Sequence, residues 1–572
     1  MGGIAGAGVA AGILLTLGQP PWSAGPGGSL PGLGLGAVTL GLALLARAFA
    51  STDSPRDAAL LGAAALGSYS LLALHWIPAA AAPYAPAPAA LVAGVSIWGL
   101  HAGTGAVVFA LLRQALGTSL DVHPLLPLGM GGAWALLEWA PGALPVVGVP
   151  LPSVTFALVE AGGPFGLLPS GAGQVGVAGA WALMAAIPGT LGMGGADGGR
   201  RATRPGRSTG HRDMPARRAV LFGAAGLAVW ALAFLPGPGA DAPREGTRVV
   251  LAGWDRPPEV VGDDSAAARE VEHLMEAVEG LRGGSPVLWP EAPAGASNPE
   301  LGVAWVRAAL GASPGGLAGT VRSASGAGPV GNVLVAAGKA RGVKGTEAAG
   351  GPLESATEDG IREVHRKRHL VPGVERTRFI RAGLREGYGL APGGAPEVFS
   401  WAGGRQAGAM ICFEVLHPAG MYGLRRGGAD LLVQATNDSM LRARGLFPVV
   451  GDAARRQHVV AVRLRAVELR LPVVRSAISG ALGGWDAVGR ALPELQLREV
   501  VPGGGGPILR LVEVEVPPAS PHRPASVWLG PLWGPMAALL LLVGAGVRHR
   551  REGGGRGFGV GHAEGRAGGG TG

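Results

Sequence analysis

The 572 residues leave room for three or four domains, but 48% are apolar, 15% are charged and the mean hydropathy is +0.32, a balance that excludes an all-soluble protein. The net charge of +9 sits in clusters beside apolar segments, as a membrane protein marks its cytoplasmic side, so no nucleic-acid partner is expected. A single cysteine, Cys412, excludes an intramolecular disulfide framework and any multi-cysteine zinc or iron–sulfur site, and 103 Gly with 47 Pro carry no G-X-Y period, which excludes collagen.

Only nine Asp, Glu, Lys and Arg precede position 200, so the first part of the chain is apolar material of a different kind from the rest. A membrane-crossing helix needs about 20 apolar residues, and candidate runs occur at 4–18, 32–50, 58–76, 89–112, 124–139, 173–193, 219–235 and 526–547. The expected organisation is a membrane domain over 1–240 with about seven transmembrane helices, an extracytoplasmic catalytic domain over 247–517, a last transmembrane helix at 526–547 and a basic, Gly-rich cytoplasmic tail over 548–572. Orientation follows from the basic segments. Arg200, Arg201, Arg204, Arg207, Arg212, Arg217 and Arg218 lie between the sixth and seventh runs, and Arg548, Arg550 and Arg551 follow the eighth. Both segments belong on the cytoplasmic side, and Arg47, Arg56 and Arg113 fall there too.

The insert alternates strand-like and helix-like stretches. Strands are expected at 248–253, 286–289, around 319 and 332, at 408–413 and 430–436, and near 473 and 508; helices at 265–281, 299–310 and 452–471. That alternation predicts an α/β domain of the layered α-β-β-α type. The Gly-rich stretches 311–330 and 341–352 are candidate mobile covers, and the tail from about 553 cannot bury a core.

Three short runs each pair an apolar stretch with an ionisable residue: Val287-Leu288-Trp289-Pro290-Glu291, Lys367-Arg368-His369-Leu370-Val371-Pro372 and Met410-Ile411-Cys412-Phe413-Glu414. A carboxylate that takes the thiol proton and an ammonium that lowers the thiol pKa and then stabilises an oxyanion make a cysteine a working nucleophile, reactive below its ordinary pKa of about 8.5. Taken singly the residues have plainer readings: Cys412 as a small buried hydrophobe, Lys367 as part of a solvated basic run in which Arg366 or Arg368 is the alternative, and Glu291 as a helix-start carboxylate. His458 and Arg465 read as structural members of a helix, and Glu138, within an apolar run, as a paired or functional acid. No histidine pair has metal-ligand spacing, the Gly run 503–506 lacks the Lys-Ser/Thr of a phosphate loop, and neither a metal nor a cofactor is expected.

Together these motifs resemble the nitrilase superfamily and, within it, its membrane-embedded branch, the apolipoprotein N-acyltransferases. The resemblance rests on Trp289-Pro290-Glu291, on Lys367 to Pro372 followed by Glu375, on Cys412-Phe413-Glu414, on Gly428-Ala429-Asp430 leading to Asn437-Asp438, and on His458 with Arg465-Ala466-Val467-Glu468, Arg470, Pro472 and Arg475. Trp134 and Glu138 extend it into the fifth apolar run. It implies a multi-span helical membrane domain plus an α-β-β-α nitrilase-like domain, on the periplasmic side of a bacterial inner membrane. It also implies Glu291 as general base, Lys367 as transition-state stabiliser and Cys412 as the nucleophile that becomes a thioester, with Glu375 and Glu414 as supporting acids and the Phe413 backbone N–H in the oxyanion hole. The activity so implied moves an acyl chain from a phospholipid to Cys412, then to the α-amino group of the diacylglyceryl-cysteine of an apolipoprotein, in a monomer working in the bilayer. The chain departs from the family pattern at His365, Gly373, Val374, Met440, Leu441, Ile478 and Leu482, positions expected to line or back the pocket. Two other readings use the same residues: a membrane-anchored nitrilase-type amidase with water as second acceptor, and an inactive homologue that binds lipid or lipoprotein without turnover.

Overall fold

The computed structural model describes residues 2–20, 31–83, 85–117, 125–144, 148–191, 246–256, 264–279, 285–291, 299–313, 315–323, 330–337, 361–372, 374–375, 390–442, 452–502 and 506–554. Helices Gly2–Leu17, Pro31–Ala50, Pro55–Ala73, Ala87–Leu116, Leu126–Ala143, Pro169–Leu191 and Trp533–Gly554 fall on seven of the apolar runs, while 219–235 and the basic segment before it lie outside the described residues, as does the tail from 555. Four stretches, Leu33–Ala50, Ala87–Leu116, Pro169–Ile187 and Ser526–Val547, are long and apolar enough to cross a membrane. Local chemistry sets the boundaries. Pro55–Ala73 starts on the Ser54 cap, whose Oγ accepts the Asp57 N–H at 3.1 Å, with Pro55 at the first helical position. Glycines set the crossings: a Cβ at Gly62 would strike the Gly105 backbone, and one at Gly131 would press on Gly179, so these two helix pairs approach at backbone distance.

Between the fifth and sixth described apolar helices, the extended stretch 148–155 is buried inside the helical part. Backbone outside a helix is tolerated at membrane depth only where protein or a cavity encloses it and satisfies its polar groups. Here three helices and the turn after the first helix supply partners: Gln19 Nε2 donates to the Ser153 carbonyl at 3.0 Å, Tyr69 Oη to Pro152 at 2.6 Å and His101 Nε2 to Val149 at 3.0 Å, while Glu138 accepts from Val154 N–H at 3.0 Å. Glu138 also accepts from Ser153 Oγ at 2.6 Å and from Trp134 Nε1 at 3.2 Å, so the buried acid is fully paired.

The second part is a sandwich of two sheets. One has seven strands in the order β11 (Glu494–Val500), β12 (Leu509–Val516), β1 (Thr247–Gly253), β2 (Val287–Leu288), β3 (Leu317–Ser323), β4 (Val330–Ala337), β5 (Ile361–Arg366), the other five in the order β10 (Gly483–Trp485), β9 (Val473–Ile478), β8 (Leu431–Asn437), β7 (Arg405–Ile411), β6 (Val398–Trp401). Period-2 alternation assigns each strand's faces. In β7, Ala407, Ala409 and Ile411 point between the sheets while Met410 faces outward, and in β8 Leu431, Val433 and Ala435 point inward while Leu432 faces outward. Helices Asp264–Glu279 and Pro299–Ala312 cover the seven-stranded sheet, and Pro418–Arg426 and Ala453–Leu469 cover the other, giving the expected α-β-β-α layers. Of the proposed covers, all of 341–352 and, within 311–330, position 314 and positions 324–329 lie outside the described residues.

Candidate active site

Three strand ends converge. Strand β2 is parallel to β3, and β3–β4 and β4–β5 are antiparallel, so β2 and β5 run the same way and deliver Glu291 and Lys367 at one edge. In the other sheet β7 is parallel to β8, and the end of β7 carries Cys412. Trp289 explains where β2 stops: its buried ring packs edge-on against Trp305 at 5.4 Å, its N–H bonds the Leu317 carbonyl, and Pro290 has no N–H to continue the ladder.

The charged groups form one network. Lys367 Nζ donates to Glu291 Oε1 at 2.8 Å and to Glu375 Oε1 at 2.9 Å, with the lysine 1% exposed. Asn332 Nδ2 donates to Glu291 Oε1 at 2.6 Å and to Glu375 at 3.2 Å, and the Asn437 backbone N–H donates to Glu291 Oε2 at 2.9 Å. Burial raises the Glu291 pKa; Lys367 opposes that rise and Glu375 adds to it. Burial works against the Lys367 ammonium, but Glu291, Glu375 and Cys412 hold its pKa well above the ordinary lysine value. Arg366 pairs instead with Glu363 at 2.8 Å, so Lys367 is the member of the basic run that enters the site.

Cys412 sits on an elbow. Its φ of +49° is a left-handed conformation that a side chain tolerates only when its surroundings enforce it, and the 3-10 turn Cys412–Leu416 follows at once. Glu414 enforces it from one side: its carboxylate accepts the Ile411 N–H at 2.7 Å, the Arg368 N–H at 2.8 Å and His365 Nε2 at 2.8 Å, tying the cysteine strand to the lysine strand. Burial would raise the Glu414 pKa, but His365 and the two backbone donors bring it down to about 2. From the other side, Gln434 Nε2 and His458 Nε2 hold the Cys412 carbonyl at 3.2 and 3.0 Å. Behind them Asp438 accepts from His458 Nδ1 at 2.9 Å and from Arg475, and Arg475 also reaches Gln434 Oε1 at 2.9 Å.

One expectation needs correction. The thiol is not poised as a thiolate: burial pushes the Cys412 pKa well up, the Glu291 charge pushes the same way, and Lys367 offsets only part of it. His458, read as a structural member of its helix, is placed as a brace: it holds the Cys412 carbonyl and pairs with Asp438. Donor atoms of Cys412, Asp438 and His458 lie within 4.8 Å of one another, the usual requirement for a metal. Asp438 and His458 bond each other, Arg475 and the Cys412 carbonyl, and so form a brace behind Cys412.

On the far side of Cys412 opens an apolar cavity of about 130 Å³. Its walls come from both parts of the molecule: Leu74, Trp76, Ile97 and the stretch Val149–Pro152 from the helical part, and Phe413, Leu416, Met440, Leu441, Ala461 and Arg465 from the sandwich. Of the positions where the chain departs from the family pattern, Met440 and Leu441 reach this wall, whereas Ile478 and Leu482 pack in the sandwich interior and His365 backs Glu414. Gly373 lies outside the described residues.

Residues 354–498, which include Lys367 and Cys412, match the model of the carbon-nitrogen hydrolase family. Within that class the chain is similar to apolipoprotein N-acyltransferases. The one from Bdellovibrio bacteriovorus is 36% identical over 110 residues, 19% of each chain, and the one from Bradyrhizobium diazoefficiens is 30% identical over 157 residues, 24% of this chain and 26% of that one. The matches therefore span about a fifth to a quarter of the length of these curated relatives. A Nesterenkonia amidase of the nitrilase superfamily is 17% identical, with a TM-score of 0.28 over 48% of this chain and 94% of its own.

Proposed function

We propose that the protein is an apolipoprotein N-acyltransferase working through a Cys412 thioester. One observation carries the reading: Cys412 stands between a buried Glu291–Lys367 pair and an apolar cavity to whose wall the helical part of the molecule contributes Leu74, Trp76, Ile77, Ile97, Phe156, Gln174 and the stretch Val149–Pro152. An amidase acting on small soluble amides has no use for such a wall.

In the first half-reaction Glu291 takes the Sγ proton as the sulfur attacks the ester carbonyl of a phospholipid. A raised Glu291 pKa suits a base that must hold this proton, and a protonated resting thiol makes the transfer part of the attack. Charge developing on the carbonyl oxygen is met by the third N–H of Lys367, the other two being held by Glu291 and Glu375, and by the Phe413 backbone N–H. Collapse breaks the ester C–O bond, and the lysophospholipid alkoxide leaves with the proton from Glu291. In the second half the α-amine of a diacylglyceryl-cysteine attacks the thioester and gives its proton to Glu291. The C–S bond breaks, and the thiol is restored as the amide forms. Glu375 holds Lys367 and Glu414 holds the elbow. The helices then lie in a bacterial inner membrane, with the sandwich on the periplasmic side, the protein monomeric and the basic segments cytoplasmic.

The test is intact-mass analysis of the protein in phospholipid, beside Cys412→Ser. The expected result is an acyl adduct on the wild type alone, removed by hydroxylamine and discharged onto a diacylglyceryl-cysteine peptide. Discharge to water only would make it a hydrolase, and no adduct from any phospholipid would leave the binding homologue.

A further inference from the structure

Six side chains with polar atoms line the cavity beside Cys412, and five have partners. Trp76 Nε1 donates to Gln457 Oε1 at 3.2 Å, Gln457 Nε2 donates to the Ala73 carbonyl at 2.9 Å, and both ring nitrogens of His458 are bonded. Gln174 accepts from Arg465 and bonds Glu138, and Cys412 itself bonds Thr436. The exception is Arg465. Its guanidinium is 1% exposed, one terminal nitrogen is tied to Glu468 and the other to Gln174, and its Nε–H has no partner among the described residues. A buried donor without a partner, on a residue that lines an apolar cavity, is complementary to an acceptor the described residues do not supply.

We propose that the Arg465 Nε–H receives an ester carbonyl oxygen of a bound glycerolipid, an ester other than the one being cleaved. The inference rests on the acyltransferase reading and deepens it. Three observations fix the chemistry. Glu468 already neutralises the guanidinium, so the open N–H suits a neutral oxygen better than a phosphate. Arg465 follows His458 by seven residues on the helix Ala453–Leu469, with Ala454, Gln457, His458, Ala461 and Arg465 on one cavity-facing stripe. Two turns rise about 10 Å, and helical side chains lean toward the N-terminus, here toward His458 and the nucleophile, so the donor lies within one lipid's reach of Cys412. Finally, Arg465 and Glu468 bond Gln174 just past the Gly173 break in Pro169–Leu191, and Ser526, where the last apolar helix begins, donates its hydroxyl to the Glu468 carbonyl. These bonds lie near the starts of two candidate membrane spans, Pro169–Ile187 and Ser526–Val547, and the glycerol esters of a bilayer lie at the boundary of its apolar layer.

The same chemistry has two sources, the uncleaved ester of the donor phospholipid and an ester of the acceptor's diacylglyceryl group. Both half-reactions of the full-length protein are therefore measured: thioester formation from a diester phospholipid against a donor with one ester and one alkyl ether, and discharge onto a diacylglyceryl against a dialkylglyceryl cysteine peptide. The expected result is a roughly three- to tenfold preference for the ester compound in one half-reaction, the size of one neutral hydrogen bond. The half-reaction that shows it names the source. In Arg465→Lys the ester-to-ether ratio falls to about one, a change that general loosening of the fold does not produce. Equal rates for ester and ether compounds in both halves of the wild-type reaction would overturn the inference. Absence of any adduct would instead overturn the acyltransferase reading beneath it.

Discussion

At Cys412 three influences act on one proton: burial and the Glu291 charge hold it on sulfur, and Lys367 pulls the other way. Removing either partner therefore separates thiol ionisation from acyl transfer. Glu291→Gln takes away a charge that raises the thiol pKa, so alkylation by a small neutral reagent at fixed alkaline pH is expected to be faster than in wild type. Lys367→Met takes away the lowering influence, so alkylation is expected to be slower. Acyl transfer falls in both, by about 100-fold or more, because base and oxyanion partner are lost. If alkylation moved in the same direction in both variants, the pair would not be acting on the thiol as described. Glu414 is read through stability instead. Its carboxyl is brought from the ordinary 4.5 down to about 2, so its contribution is present above pH 4.5 and is lost as the pH falls from there toward 2. Glu414→Gln is expected to cost about 1.5–3 kcal/mol at neutral pH, the scale of a charged hydrogen bond, and to flatten the acid limb of the unfolding curve in that window.

Among the elements, the helix Ala453–Leu469 carries the most functional content, since one of its faces is cavity wall and the rest packs on the second sheet. Ala461, 1% exposed, lies midway along that wall. Ala461→Phe is expected to fill the space meant for an acyl chain: adduct formation from long-chain phospholipid drops by about tenfold or more, the scale on which a pocket rejects excess volume, while alkylation of Cys412 by a small reagent persists. Undiminished long-chain acylation would mean the chain lies elsewhere. This helix was legible in the sequence almost to its ends, 452–471 against the observed Ala453–Leu469, and so were the strand ends bearing Glu291 and Cys412, because strand alternation and the flanking motifs are local signals, whereas β5, which leads to Lys367, was not among the expected strands. The brace was not. Asn332 reads as an ordinary strand residue, and Gln434 as a polar interruption in β8, until pairing brings Asn332 to Glu291 and Gln434 to the Cys412 carbonyl. The stretch 148–155 was equally hidden, because its four partners come from residues up to 134 positions away.

For the molecule as a whole, the helical part and the sandwich meet through a buried hub centred on Glu468. One of its oxygens accepts the Gln174 N–H at 2.6 Å and the Tyr422 hydroxyl, and the other accepts Arg465, while Gly173 breaks the membrane-type helix so that the Gln174 N–H is free to be given. Burying an ion pair is costly in itself, but removing one member strands the other charge, at about 3–5 kcal/mol. Glu468→Gln leaves Arg465 without its counter-charge, whereas Tyr422→Phe removes one hydroxyl donor and costs about 1 kcal/mol. Thermal unfolding in detergent should therefore rank wild type, Tyr422→Phe and Glu468→Gln in descending order, with the last far below the other two. Acyl transfer should fall in Glu468→Gln as well, although Glu291, Lys367 and Cys412 are untouched, because Gln174 and Arg465 are wall residues of the cavity that the two parts build together. A Glu468→Gln protein as stable and as active as Tyr422→Phe would show that the two parts dock without this hub, and that the cavity's shape is set by apolar packing alone.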